Sequence, residues 1–104
     1  MQGRDFKDAV YEQFSRVASA FANPKRLEIV DLLVQGPRSV DSIAQQTSLS
    51  VTNTSHHLQL LRHAGLVTST RDAQRVVYRI ADPAVVDAYH ALRQAAEARI
   101  AEVR

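Results

Sequence analysis

Residues 40–66, reading VDSIAQQTSLSVTNTSHHLQLLRHAGL, carry the pattern that decides the fold. Val40, Ile43 and Ala44 share one face of a helix of about two turns. Thr47-Ser48-Leu49-Ser50 then interrupts with small polar residues that favour turns and caps. Val51, Thr54, Leu58 and Leu61 recur at three- and four-residue steps, which predicts the buried face of a second helix. Ser50 stands where its hydroxyl can accept from a first-turn amide. Gly65 stands where a left-handed residue closes the last turn. Two short helices around a tight turn make a helix-turn-helix.

The outer face of the second helix, Thr52, Asn53, Ser55, His56 and Gln59, is polar without a single acid. A solvated helix face usually carries Glu and Lys, which favour the helix. Short uncharged donors and acceptors instead suit a surface laid against base edges, where phosphate would repel carboxylates. The plain alternative is a set of ordinary surface residues beside a cap.

Composition sets the outer bounds. The 104 residues are 45% hydrophobic and 23% charged, which fits one globular domain over 1–104 with a modest core. The net charge of +2 permits nucleic-acid binding without demanding it, so the distribution of charge has to decide. No apolar run approaches the ~20 residues of a membrane span. The start, MQGRDFKDAV, has no signal-peptide core, so no membrane partner and a cytoplasmic location are expected. The absence of cysteine excludes disulfides, thiolate metal sites and thiol redox switches.

Outward from the centre, Phe6, Val10, Phe14, Val17 and Phe21 form the apolar stripe of a first helix, placed at about 5–22. Asn23-Pro24 is a cap-plus-proline start for a second, whose core face is Leu27, Val30, Leu33 and Val34, with Ile29 and Leu32 adding apolar surface. Gly36-Pro37 ends it. Lys25 and Arg26, in its first turn, could pair with Glu28 or Asp31, or one could face a phosphate; for Arg26 the structural reading is favoured.

Beyond the centre, residues 66–81 predict a hairpin of two β-branched strands. Its tip lacks glycine, which favours a loop longer than two residues, begun by Asp72. Arg71, Arg75 and Arg79 make it basic, as a wing beside a reading helix would be. Asp82-Pro83 opens a last helix whose stripe is Val85, Tyr89, Leu92, Ala96, Ile100 and Val103. That stripe is longer than a small winged domain needs for its own core. The first and last helices are therefore read as a dimer interface through Phe6, Val10, Phe14, Val85, Tyr89, Leu92 and Ala96. The fold expected is mainly α with a small β-hairpin, a winged helix-turn-helix.

The residues Ala22-Asn23-Pro24-Lys25-Arg26-Leu27, Ser55-His56-His57-Leu58, Leu61-Arg62-His63-Ala64-Gly65-Leu66-Val67 and Val77-Tyr78-Arg79-Ile80 carry a family resemblance. In this order the chain resembles the ArsR/SmtB family of bacterial winged-helix repressors over nearly its full length. The stretches FKDAVYEQFSRVASAFANPKRLEIVDLL and LSVTNTSHHLQLL look most like the subgroup often followed by a rhodanese domain. The resemblance implies a homodimer on a near-palindromic double-stranded DNA operator, with repression relieved by an inducer. It places Thr52, Asn53, Ser55, His56 and Gln59, with Ser50 at the cap, on the DNA, and Arg71, Gln74 and Arg75 on the wing.

Sensing is where the chain departs from the family. The family's Cys-x-Cys metal site is missing, since residues 28–34 read EIVDLLV. The family's zinc site on the last helix needs Asp-x-His from one subunit and His-x-x-Glu from the other. Here Asp87 and His90 are one residue too far apart, and ARIAEV supplies no histidine for the second pair. Two ligands leave zinc two donors short, with Glu97 or Glu102 of a second copy the remaining candidates. No cofactor or metal is expected, and the inducer is read as a small molecule or a partner protein. His57 is placed at the core edge, holding the helix by hydrogen bonding. Nothing in the chain pairs a nucleophile with a base, so an enzyme is not expected. A winged helix used only for protein contact is the other class, and it predicts no salt-dependent DNA affinity.

Overall fold

The computed structural model describes residues 3–103, without the side chains of Glu102 and Val103. The readings made for those two side chains thus lie outside the described residues. The order is α1 (Gly3–Phe21), α2 (Pro24–Gln35), β1 (Arg38–Ser39), α3 (Val40–Thr47), α4 (Val51–His63), β2 (Val67–Asp72), β3 (Arg75–Ile80) and α5 (Pro83–Val103). The sheet runs β1-β3-β2, all antiparallel.

Local chemistry sets the boundaries. The Asn23 side chain accepts from the Arg26 amide and Pro24 takes the first helical position, so α2 starts there. Ser39 and Ser50 cap α3 and α4 in the same way, accepting from the amides of Ser42 and Asn53. At the end of α4, the Leu66 amide bonds Leu61 O at 3.0 Å and the Gly65 amide bonds Arg62 O at 2.9 Å. This is a Schellman closure, and Gly65 supplies its left-handed residue at φ 80. The end of α3 closes likewise, with Leu49 N–H on Ala44 O at 3.0 Å, but Ser48 fills the left-handed place at φ 58.

One core joins all five helices and the sheet. It holds Phe21 of α1, Ile29, Val30 and Leu33 of α2, Ile43 of α3, Leu58 and Leu61 of α4, Leu66, Val67 and Tyr78 of the wing region, and Val85 and Tyr89 of α5. Thr47 and Thr54 are buried with them, and each hydroxyl donates at 2.8 Å to the carbonyl four residues back, on Ile43 and Ser50.

Several expectations need correction. Val85 and Tyr89, assigned to the dimer interface, are only 7% and 6% exposed because the protomer's own core covers them. Val51, assigned to the buried face of α4, is exposed because it sits in the first helical turn, at the end of the buried run. Ile29 is fully buried, at the centre of the α2 core face rather than beside it. The wing tip is a two-residue turn: Asp72 pairs with Arg75, and Ala73 takes φ 57 where glycine would be at ease. Strand β1, only two residues long, was not foreseen; Arg38 and Ser39 pair with Tyr78 and Val77.

Candidate nucleic-acid interface

Helix α4 presents a largely polar side to solvent, with Leu60 also exposed there and Val51 at its start. Thr54, Leu58 and Leu61 are buried, while Thr52, Asn53, His56 and Gln59 are exposed and Ser55 is half-buried. These five lie on one side because the core fixes the other. The Ser50 hydroxyl is engaged with the Asn53 amide at 3.0 Å, so Ser50 orients the first turn while the Asn53 side chain stays exposed. No acid lies on the helix, and Arg62 and His63 fall in its last turn. Arg62 donates to Gln59 Oε1 at 2.7 Å, which adds a guanidinium to the same side. Sequence reasoning passed over Arg62, although its three-residue step from Gln59 marks it.

The wing extends the basic surface. Arg71, Gln74 and Arg75 are all exposed. Arg75 pairs with Asp72 at 3.3 Å, but both side chains are mostly solvated, so the pair is weak and easily exchanged for a phosphate. Arg79 donates to Thr70 Oγ1 at 3.3 Å across the hairpin.

Arg26 does not make the ion pair expected of it. Its Nε donates to Ala20 O at 2.7 Å and its Nη2 to Ser19 O at 3.3 Å, at the end of α1. Its Nη1 lies 3.4 Å from His57 Nδ1 on α4. Lys25 takes the pairing role, reaching Glu28 at 3.4 Å and Thr47 O at 3.0 Å. Burial, then the Arg26 guanidinium and then His56 lower the His57 pKa below the ordinary histidine value, favouring the neutral ring.

The two long helices leave apolar side chains uncovered. Phe6, Val10 and Phe14 on α1 are 57%, 43% and 64% exposed, with Tyr11 beside them. On α5, Leu92 and Ile100 are exposed, as is Ala96. Between α2 and α5 lies a groove of about 340 Å³, walled by Leu27, Leu92 and Ala96. At its polar end the Tyr89 hydroxyl donates to Asp31 Oδ1 at 2.6 Å, and Arg93 donates to the same oxygen at 3.2 Å. Burial first, then the Asp31 hydrogen bond, raises the Tyr89 pKa above its ordinary value. Asp87 and His90 are exposed on α5, and no group of three or more potential metal ligands occurs among the described residues. No described helix is long and apolar enough to cross a membrane.

Residues 23–69, from the cap of α2 into β2, match the family model described as bacterial regulatory protein, arsR family. The chain is 40% identical over 99 residues to the HTH-type transcriptional regulator Rv0324 of Mycobacterium tuberculosis, covering 95% of this chain and 44% of that protein. It therefore spans less than half the length of that relative. It is 41% identical over 75 residues to the HTH-type transcriptional regulator YgaV of Escherichia coli, covering 71% of this chain and 76% of YgaV. The solution structure of the homodimeric winged helix-turn-helix DNA-binding domain of Mb0332 from Mycobacterium bovis superposes with a TM-score of 0.87 at 40% identity. That match covers 96% of this chain and 94% of that one. With the capped α3-turn-α4 pair and a three-stranded wing held on one core, the chain belongs to the ArsR family of bacterial regulatory proteins.

Proposed function

We propose that this chain is a homodimeric transcriptional regulator, a repressor, that binds a near-palindromic operator. Helix α4 enters the major groove and the β2–β3 hairpin lies along the backbone as a wing. One observation carries the reading: Thr52, Asn53, His56 and Gln59 form an exposed polar set on α4 with no acid among them, held outward by the buried Thr54, Leu58 and Leu61. Asn53 and Gln59 can bond adenine edges, His56 can donate or accept, and the Thr52 methyl can meet a thymine. Arg71, Gln74 and Arg75 position the protein on phosphates, as does Arg62. Dimerisation is supported by the uncovered Phe6, Val10, Phe14, Leu92 and Ala96, and by the homodimer named for the Mycobacterium bovis neighbour.

The chain works in the cytoplasm as one domain, as a DNA-binding protein and not as an enzyme. Its inducer is a small organic or sulfur-containing molecule or a protein, held near the dimer helices, and the α2–α5 groove offers room for a small molecule. Zinc is not the signal in this reading: calorimetry at neutral pH should show no tight site, and submicromolar zinc binding lost in His90→Ala would contradict it. The finer likeness to the subgroup often followed by a rhodanese domain rests on the two sequence stretches alone. Genome-wide mapping of bound sites, with and without candidate inducers, tests the function. Discrete sites that empty with one inducer are expected; uniform, salt-insensitive recovery of DNA would contradict it.

A further inference from the structure

We infer that Arg26 is a positioning residue for DNA reading, a strut that sets α4 against the end of α1 by bridging Ser19 and Ala20 to His57. The inference rests on the reading that α4 enters DNA. The carbonyls of Ser19 and Ala20 lie in the last turn of α1, where the dipole favours a cation; Ser19 O also accepts from the Ala22 amide at 3.1 Å. The guanidinium is a rigid fork: with two nitrogens fixed on α1 at 2.7 and 3.3 Å, the third is aimed at His57. Lysine has one nitrogen and cannot serve all three.

Beside the strut, α1 and α4 part around a cavity of about 450 Å³, lined by Arg26, Leu60 and His63 among others. Side-chain packing therefore does not fill the gap, and the strut is a polar link across it. His57 adjoins His56 on the outward side of α4, so a shift at His57 moves the reading face. Motion of α1, an interface helix, passes to the DNA-facing side chains by the same route.

The contact needs a neutral His57 with its proton on Nε2. Protonation would set N–H against N–H and cation against cation. The charged and titratable groups around it are Arg26 of α2, His56 of the same helix, and three residues lining the adjoining cavity. These are His63 of α4 and the Arg16–Glu12 pair of α1, 3.9 Å apart.

The test compares R26K, H57L and the double variant with wild type, on a selected operator and on random duplex, across salt and pH. Each single variant should lose about tenfold in operator affinity, and the double variant no more than either. Random-duplex affinity, salt slope and sedimentation should not change. Wild-type operator affinity should fall as pH drops below the ordinary histidine range, and H57Q should flatten that limb. Losses that multiply in the double variant would overturn the inference. So would a salt slope reduced by about one in R26K, which marks a phosphate contact. Should R26K prove too unstable, H57L carries the test through its operator affinity relative to random duplex, where a tenfold loss on the operator alone supports the inference and an unchanged ratio overturns it. A wild type that selects no operator removes both this inference and the reading beneath it; wild-type binding with unaltered variants removes this inference alone.

Discussion

Ser48 and Ala73 hold left-handed backbone, at φ 58 and 57, with side chains that resist it. An L-residue there costs roughly 1–2 kcal/mol, part of which glycine returns as unfolded-state freedom. Ser48→Gly, in the turn between α3 and α4, and Ala73→Gly, at the wing tip, should each stabilise by about 0.5–1 kcal/mol. Thermal melting that is unchanged or lower in both would show that those turns relax elsewhere. At the reading face, Asn53→Ala or His56→Ala should cost about 1–3 kcal/mol and flatten preference at particular base pairs. Arg75→Ala should weaken every duplex alike and lower the salt slope by about one. If non-operator binding survives Arg75→Ala intact, the wing does not touch phosphate. His57 adds a pH term to folding itself. Its pKa is lower folded than unfolded, so its contribution is complete above the ordinary value of 6.5 and is lost as pH falls through the folded value. Denaturant midpoints should drop over that range in wild type and less in His57→Gln.

At the scale of elements, α1 and α5 carry apolar side chains that the protomer does not cover. Leu92 is 49% exposed, so Leu92→Asp should leave the protomer's fold intact; in the proposed dimer it would put a charge into the interface at a cost of several kcal/mol. Monomers and lost operator binding are expected, and sedimentation that still shows dimers would take α5 out of the interface. Tyr89→Asp cannot serve as that test, because Tyr89 is buried and its loss would unfold the protomer. The difference between these two residues shows what the sequence could and could not tell. Helical spacing puts Val85, Tyr89 and Leu92 on one stripe, but it does not say whether a neighbour in the same chain or a second chain covers each. Caps were legible because they are local: Asn23-Pro24, Ser50 and Gly65 act within four residues of themselves. The exposed side of α4 was legible for the same reason. Strand β1 was not, since two residues carry no period and its partners lie some forty residues away on β3. Nor was the Arg26–His57 contact, which joins residues 31 positions apart. The two-residue wing tip escaped because turn chemistry favours glycine and the chain pays the cost of alanine instead.

The whole protomer measures 46 × 44 × 22 Å, a slab from which the ends of α1 and α5 extend beyond the core. Two such slabs joined by those helices would set their α4 helices about one helical turn of DNA apart, ~34–36 Å. Selection from a random duplex library, followed by footprinting of the recovered sites, measures that spacing directly. The account predicts two-fold related half-sites 10–10.5 base pairs apart, centre to centre, or a multiple of this, with affinity falling steeply as salt rises. Recovery of no common sequence, or protection of one asymmetric half-site at saturating protein, would contradict it.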